Sequence, residues 1–247
     1  MKSAKKILEK FKSKTGQVAL LIDPDKTNTM DLLSPLLKKA EFANIAYVFV
    51  GGSTVSSEDF RKTVLLIKSL TSLPVIIFPG DYQQISKEAD ALLYLSLLSG
   101  RNPEYLISQH VRSAQEVYQL GIEIIPTAYI IMDGGKQTAV SYISQTVPIA
   151  RENQSIALNT AIAGVLQGKQ LLFFDAGSGA KYTVEPELIH QVVDMLNVPV
   201  IVGGGIRSTE QLNEFKNAGA HIIVVGNKIE EDINFLLEIH AFTEGKK

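Results

Sequence analysis

Short apolar runs rich in β-branched residues alternate with helical segments along the chain, and this alternation is the strongest constraint on its fold. The continuous hydrophobicity of the apolar runs is typical of strands buried on both faces, as in a parallel sheet covered by helices. Strict alternation with short connections therefore predicts a parallel α/β fold. Eight such runs occur, at residues 18–22, 47–50, 75–78, 91–95, 122–131, 171–174, 200–202 and 221–225.

Segments with a helical spacing of apolar residues lie between most of these runs. Some begin with recognisable start signals, such as Pro103 in a first turn. The segment at 82–88, between the third and fourth runs, is short for a full helix. We predict helices at 30–43, 58–70, 103–120, 148–166, 185–196, 209–218 and 232–242.

A weak internal repeat favours a closed barrel over an open sheet. Residues 72–77 resemble residues 197–202, and residues 48–53 resemble residues 173–178. Each pair lies four strands apart, which is the offset expected of two fused half-barrels. No linker-like stretch rich in Pro, Ser or Gly divides the chain. We therefore predict that residues 1–247 form a single (βα)8 domain, a TIM barrel.

Composition and charge exclude several classes of function. The 24 Lys and Arg residues against 26 Asp and Glu give a net charge of −2, which provides no broad cationic field for nucleic acid. The absence of cysteine excludes disulfides, thiolate metal sites and a cysteine nucleophile, and it fits a reducing compartment. Because no apolar run approaches the ~20 residues of a membrane span and residues 1–14 do not resemble a signal peptide, we expect a soluble, cytoplasmic protein.

Glycines concentrate around the last three predicted strands, where half of the 18 glycines lie between Gly164 and Gly226. In TIM barrels the chemistry lies in the loops after the strands, and the phosphate site commonly follows the last ones. Gly204 and Gly205 follow the seventh strand, and Gly226 with Asn227 follows the eighth. Either cluster alone is equally compatible with tight turns. Two clusters on adjacent strands favour a phosphate site built from backbone N–H groups.

A carboxylate and a hydroxyl lie beside this predicted phosphate site, in the loop after the sixth strand. Asp175 is suited to accept a proton from a substrate hydroxyl, while Ser178 and the loop amides are suited to hold phosphate oxygens. An aspartate among glycine and serine also caps turns, and that alternative stays open. Its position at the end of a barrel strand favours the catalytic interpretation.

Two further carboxylates, Asp23 and Asp25, follow the first predicted strand. A pair of this kind suits a hard divalent ion such as Mg²⁺ that also holds substrate phosphate oxygens. Ser53 and Thr54, after the second strand, are candidates to complete the site. A turn at Asp23 with Lys26 as its surface partner is an equally good interpretation of the residues alone.

Taken in order along the chain, these motifs resemble the geranylgeranylglyceryl phosphate synthase family, to which heptaprenylglyceryl phosphate synthases are related. The resemblance covers nearly the whole chain. It implies a magnesium-dependent prenyltransferase that joins geranylgeranyl diphosphate to the 3-hydroxyl of sn-glycerol 1-phosphate, giving an ether lipid precursor and diphosphate. It rests on the motifs at residues 21–26, 51–54, 173–180, 203–207 and 226–227.

The resemblance also implies roles for individual residues. Asp23 and Ser53 match the family's magnesium positions, with Asp25 and Thr54 as adjacent candidates, and Asp175 remains our candidate base. Residues matching the family's glycerol phosphate site are Phe173, Phe174, Asp175, Ala176, Gly177, Ser178, Gly179, Gly204, Gly205, Gly226 and Asn227.

At three positions this chain differs from the residues common in the geranylgeranylglyceryl phosphate synthase family or in the related heptaprenyl enzymes. Phe173 and Asp175 stand where the family often has Tyr and Glu, so a hydroxyl is lost and the carboxylate is one methylene shorter. Leu21 stands where the related heptaprenyl enzymes have a lysine, which favours the geranylgeranyl group. The preferred prenyl chain length stays open.

The implied reaction needs an apolar groove for the prenyl chain, and its lipid product is suited to transient contact with a membrane surface. Candidate lining residues are Tyr94, Leu97, Tyr129 and Ile131, although core packing explains them equally well. Family members commonly assemble, so we also expect a homo-oligomer. Its predicted contact surface is the apolar stretch around Tyr105, Ile107 and Val111.

Other functions of the same barrel stay open. A phosphosugar isomerase or cyclase would use Asp23 and Asp133 as its acid–base pair, and an FMN-binding barrel would use the same phosphate loops. A phosphate-sensing or scaffold protein would keep the loops without catalysis. The acidic loop around Asp23 argues against this last alternative.

Overall fold

A computed structural model of the chain describes residues 7–52 and 54–245. Its eight strands are β1 (Gln17–Ile22), β2 (Tyr47–Val50), β3 (Val75–Ile77), β4 (Ala91–Leu97), β5 (Glu123–Ile131), β6 (Leu171–Asp175), β7 (Val200–Gly203) and β8 (Ile222–Val225). All pair in parallel in sequence order, and β8 pairs with β1 to close the barrel. The predicted TIM barrel is therefore confirmed.

Helices surround the barrel, and the long ones lie close to the predicted ranges. They are α1 (Ile7–Lys12), α2 (Met30–Phe42), α3 (Ser57–Leu70), α4 (Ser108–Gln119), α5 (Ala139–Ser144), α6 (Gln154–Leu166), α7 (Pro186–Met195), α8 (Thr209–Asn217), α9 (Asn227–Glu231) and α10 (Phe235–Thr243), with a 3₁₀ turn at Pro103–Tyr105. Within the described part of the chain, no helix has the length and hydrophobicity needed to cross a membrane.

Two predicted helices begin later in the structure than the sequence pattern indicates. The segment 103–120 divides into the 3₁₀ turn and α4. The segment 148–166 becomes helical only at Gln154, because the N–H of Ile149 donates to the carbonyl of Ile131 and extends the β5 edge. The short helices α1, α5 and α9 were not predicted, since each is too brief to show a clear helical period.

The apolar side chains form two layers, as expected for strands buried on both faces. One layer lies between strands and helices and contains, for example, Val48 and Phe174. The other fills the barrel interior and contains Phe49, Tyr129 and Phe173. Because successive strand residues point to opposite faces, Phe173 and Asp175 point inward, and Phe174 packs against the helices.

Helix α1 lies against the barrel end that is opposite the loops of interest. Phe11 is buried with its ring 4.8 Å from that of Tyr47, and Ile7 joins the same interior layer. The carboxylate of Glu123 accepts hydrogen bonds from the N–H groups of Ile7 and Leu8. This end of the barrel is therefore sealed by packing and by capping of α1.

The connection between β3 and β4 differs from the others. Residues 78–90 are fully described and contain turns but no helix. Tyr94 and Leu95 of β4 are only partly buried. A groove runs outward at this point, next to α4.

Candidate active site

A cavity of about 340 Å³ lies at the carboxyl ends of the strands and continues into the groove beside β4. Its polar part is lined by residues that follow β1, β2, β6, β7 and β8. Its apolar lobe passes Phe78 and Tyr105 and reaches Ile85, Leu92 and Val117. One continuous space therefore joins a polar chamber to an apolar channel, the form expected of a site for an amphipathic substrate.

The loops after β6 and β7 approach each other closely at one wall of the polar chamber. Gly204 has a φ of +85°, and a Cβ at that position would lie 2.6 Å from the backbone nitrogen of Gly177. The same Cβ would lie 2.8 Å from Asp175 Oδ1. Only glycine fits this conformation and this contact, and the glycine brings the candidate phosphate loops within reach of the carboxylate.

Asn227 connects the loop after β8 to the loop after β6. Its Oδ1 accepts hydrogen bonds from the hydroxyl of Ser178 at 2.9 Å and from the N–H of Gly179 at 2.8 Å. Two donors therefore converge on one oxygen at the cavity wall. A phosphate oxygen requires donors arranged in this way.

Lys136, in the loop between β5 and α5, adds a positive charge at this wall. A Cβ on Gly179 would lie 2.9 Å from Lys136 Nζ, so the ammonium group lies directly over the glycine loop. Lys136 was not among the predicted site residues. Its position follows from contact between two loops that are distant in sequence, although a lysine among glycines after a strand was visible as a signal.

The carboxylate of Asp175 is buried and held by one donor on each oxygen. The hydroxyl of Tyr129 donates to Oδ2 at 2.5 Å, and the N–H of Gly177 donates to Oδ1 at 2.7 Å. Burial raises the pKa of Asp175 above its ordinary value, and these two hydrogen bonds oppose the rise. A buried carboxylate with a raised pKa is a better proton acceptor than a solvated one, provided that it stays ionised.

The acidic loop after β1 lies across the mouth of the barrel. Asp23 Oδ1 accepts the N–H of Asp25 at 3.1 Å, and Asp23 Oδ2 lies 3.9 Å from Lys26 Nζ. Burial raises the pKa of Asp23, and the Asp25 N–H and Lys26 oppose the rise. The carboxylate of Asp25 accepts the Thr54 hydroxyl at 2.5 Å, and Lys26 pairs with Glu230 at 2.8 Å.

The donor set in this loop fits a hard divalent ion. Asp23 and Thr54 line the cavity, whereas Asp25 does not; Ser53 lies outside the described residues. Among the residues that the structure describes, no three His, Cys, Asp or Glu side chains form a ready-made metal cage. Mg²⁺ commonly uses one or two carboxylates and takes its other ligands from water and substrate phosphate, which agrees with the Asp23 carboxylate facing the cavity.

The structure brings most of the predicted site residues to the cavity. Four of the described ones do not line it: Asp25 accepts the Thr54 hydroxyl without reaching the cavity, Phe174 points to the helix layer, and Ala176 and Gly177 support the loop behind the wall. The alternation of strand side chains explains Phe174, because it lies between two inward residues. The residues that line the cavity are Phe173, Asp175, Ser178, Gly179, Gly204, Gly205, Gly226 and Asn227.

The candidate groove residues divide in the same way. Tyr94, Leu97 and Tyr129 line the cavity, whereas Ile131 is buried in the barrel interior and does not. Asp133, the partner of Asp23 in the isomerase alternative, is also absent from the lining. Its carboxylate accepts the N–H of Gly135 at 2.8 Å, which is a turn interaction.

Comparison with known proteins identifies the family of this chain. The sequence model of the PcrB family matches residues 11–246. The chain belongs to the PcrB family. Its relatives include the geranylgeranylglyceryl phosphate synthase of Chitinophaga pinensis, 47% identical over 90% of this chain and 87% of the relative. The enzyme of that name from Korarchaeum cryptofilum is 35% identical over 96% of both chains. The resemblance drawn from the motifs is thereby confirmed.

Solved structures agree with this PcrB family membership. The chain is similar to (S)-3-O-geranylgeranylglyceryl phosphate synthase from Thermoplasma acidophilum, crystallised with its substrate sn-glycerol-1-phosphate, with a TM-score of 0.89 and 34% identity. The alignment covers 100% of this chain and 99% of that one. Thiamine phosphate pyrophosphorylase from Pyrococcus furiosus, with a TM-score of 0.59 and 12% identity, shares the fold alone.

Proposed function

We propose that this PcrB family member joins geranylgeranyl diphosphate to the 3-hydroxyl of sn-glycerol 1-phosphate, giving geranylgeranylglyceryl phosphate and diphosphate. The observation that carries the proposal is the cavity, in which a phosphate-type loop, a buried carboxylate and an apolar channel are continuous. The similar T. acidophilum enzyme was crystallised with sn-glycerol-1-phosphate. The isomerase alternative is not supported, because Asp133 does not reach the cavity.

The phosphate of glycerol phosphate would bind at the loops around Ser178, Gly204 and Asn227. Because Gly204 adjoins both the Gly177 nitrogen and the Asp175 carboxylate, a phosphate there leaves the glycerol carbons next to Asp175. The prenyl chain would occupy the apolar lobe towards Val117. Leu21 lines the polar chamber and adds no charge to it.

The reaction then needs positioning and one proton transfer. The 3-hydroxyl oxygen forms a bond to C1 of the prenyl group, while the C1–O bond breaks and its electron pair leaves with diphosphate. Asp175 takes the hydroxyl proton, since its carboxylate is the buried base beside the glycerol position. The loops hold the phosphate and thereby convert an encounter of two substrates into a reaction at fixed geometry.

We propose that Asp23 holds Mg²⁺, with Ser53, Asp25 and Thr54 as the further candidates. The bound ion would neutralise charge on the departing diphosphate. Asp23 presents its carboxylate to the cavity, and the Thr54 hydroxyl holds Asp25 beside it. We also propose that the protein acts in the cytoplasm and contacts a membrane surface transiently when its lipid product leaves.

Radiolabelled sn-glycerol 1-phosphate incubated with Mg²⁺ and prenyl diphosphates of several lengths tests the activity. We expect an organic-soluble labelled product, with geranylgeranyl diphosphate as the preferred donor. Absence of product with every donor would reject the proposed function. If product forms only with a longer prenyl diphosphate, the proposed reaction stands and the prenyl donor is a different one.

Gly204→Ala should weaken binding of sn-glycerol 1-phosphate by at least tenfold. An alanine at this left-handed φ is strained by about 1–2 kcal/mol, and the free protein relieves that strain by moving the loop. Returning the loop to its binding conformation then costs energy on the scale of the ~1.4 kcal/mol that corresponds to a tenfold loss of affinity. The new Cβ would also push against the Gly177 nitrogen and displace the loop. Isothermal titration calorimetry measures the change in affinity.

Gly168→Ala is the matched control for this variant. Gly168 has a φ of +84°, and nothing lies within 4 Å of its Cβ position. The control therefore carries the same backbone strain without the contact at the phosphate loop. We expect Gly168→Ala to bind like the wild type, and equal binding by both variants would contradict a role of Gly204 in holding the phosphate loop.

We also propose a homo-oligomer that uses the exposed side chains of Ile107 and Val111. Tyr105, predicted with them, is partly buried and lines the cavity instead. Light scattering should give a mass above that of one chain. Val111→Lys should lower that mass, because a buried ammonium is costly in an apolar interface, whereas Leu237→Lys on α10 should not. A monomeric wild-type protein at micromolar concentration would contradict this proposal.

A further inference from the structure

Tyr129 lies on β5 directly opposite Phe173 of β6, in the inward-facing layer of the barrel. Its side chain is 5% exposed and lines the polar chamber. Its ring meets Phe78 at 5.6 Å and 78° and meets Phe173 at 5.5 Å and 71°. Two edge-to-face contacts therefore fix the orientation of the phenol.

The Tyr129 hydroxyl points at the carboxylate of Asp175. Its distance of 2.5 Å to Oδ2 lies in the range of hydrogen bonds from a hydroxyl to an ionised oxygen. Phe173, the facing aromatic residue, has no hydroxyl that would compete for this oxygen. With the N–H of Gly177 on Oδ1, the two donors hold the carboxylate against rotation.

The same hydroxyl opposes the effect of burial on Asp175. Burial raises the pKa of Asp175, and the donors that lower it are Tyr129 from β5 and the N–H of Gly177 from the loop. On the β7 side, the Cβ positions of Gly203 and Gly204 lie 3.6 and 2.8 Å from Asp175 Oδ1, and no charged side chain is among the causes of the shift. The pKa of Tyr129 is raised well above its ordinary value, mainly by burial, so the phenol keeps its proton and stays a donor.

We propose that Tyr129 is a positioning residue, whose hydroxyl keeps Asp175 ionised and oriented to accept the proton of the glycerol 3-hydroxyl. This inference rests on the proposed function, in which Asp175 is the base. Tyr129 contributes a short, charge-assisted hydrogen bond between two buried side chains, and such bonds are strong where bulk water is excluded. The ring contacts with Phe78 and Phe173 keep this donor in place without any movement during the reaction.

Tyr129→Phe removes the hydroxyl and keeps the ring contacts. We expect kcat to fall about 10- to 100-fold, the usual range for a lost hydrogen bond to a charged group. The KM for sn-glycerol 1-phosphate should change less than about threefold, since the loops that hold phosphate are untouched. We expect kcat to fall with decreasing pH as Asp175 takes up a proton, which gives the pH–rate profile an acidic limb. Loss of the donor raises the pKa of Asp175, so this acidic limb should move to higher pH.

Tyr47→Phe is the matched control. Tyr47 is also buried and its hydroxyl donates to Gln17 Oε1 at 2.8 Å, but it lies at the sealed end of the barrel. Tyr47→Phe should lose stability as Tyr129→Phe does, but its kcat and the position of its acidic limb should equal those of the wild type. An unchanged kcat in Tyr129→Phe, or a lower kcat without movement of the limb, would overturn the proposal.

A measurement without turnover separates this inference from the proposed function. The ¹³C resonance of the Asp175 carboxyl, assigned with Asp175→Asn, is titrated in the wild type and in Tyr129→Phe. We expect the titration to move to higher pH in the variant, even if no prenyl transfer is found. A wild type without product would reject the function alone, whereas an identical Asp175 titration in both proteins would reject the role of Tyr129.

Discussion

Asp175→Asn should lower kcat for prenyl transfer by on the order of 10²–10⁴-fold, the usual contribution of a positioned general base. The amide has the size of the carboxylate and cannot take the hydroxyl proton. Binding of sn-glycerol 1-phosphate should change far less, because Ser178, Gly204 and Asn227 are unaltered. Steady-state rates at saturating substrate, together with calorimetric binding of glycerol phosphate, measure both quantities.

Folding of this variant needs its own check, because the new amide would place an NH₂ group towards either the Tyr129 hydroxyl or the Gly177 N–H. Thermal unfolding is therefore compared with that of Asp90→Asn. Asp90 also accepts a main-chain N–H, from Val75 at 2.7 Å, but it precedes β4 at the other end of the barrel. If Asp175→Asn keeps kcat and only raises KM, Asp175 orients the substrate and another group is the base.

Asp23→Asn should remove most Mg²⁺-dependent turnover and leave the fold intact. A neutral amide is a poor ligand for a hard cation. The loss of Mg²⁺ affinity should reach at least the roughly 10–100-fold found when a mere supporting residue of a metal site is removed. Binding of Mn²⁺ followed by electron paramagnetic resonance gives a readout that does not depend on activity.

Asp133→Asn is the control for Asp23→Asn. Both carboxylates accept the N–H two residues onward, at 3.1 Å for Asp23 and 2.8 Å for Asp133, but only Asp23 lines the cavity. Asp133→Asn should therefore lose about as much stability as Asp23→Asn does from the weakened turn hydrogen bond. Full activity of Asp23→Asn at limiting Mg²⁺, or equal losses in both variants, would exclude Asp23 from the metal site.

The elements that could be predicted are those whose signal is local. Strands buried on both faces are continuous apolar runs, so all eight were visible without a structure. Helix α1 was missed because its six residues depend on partners far along the chain. Glu123 caps it from 116 positions away, and the barrel interior receives Phe11. A short helix of this kind is stable only through tertiary packing.

The candidate site shows the same division. The segment 173–179, the glycines after β7 and the glycine after β8 are each short continuous motifs. The order of strands in a closed barrel places the three loops that carry them side by side. The barrel, its glycine-rich loops, the acidic loop at Asp23 and the membership of the family could therefore all be predicted from the order of residues along the chain.

How these groups act on one another depends on contacts between residues that are distant in sequence. Tyr129 and Asp175 are 46 positions apart, and the pairing register of β5 with β6 brings the hydroxyl to the carboxylate. Lys136 reaches Gly179 through contact between two loops that are distant in sequence, and Asp133 lies outside the cavity, where its carboxylate accepts the N–H of Gly135. The physical reason is that burial, hydrogen-bond partners and hence the pKa of a side chain are set by neighbours in space, which a linear pattern does not contain.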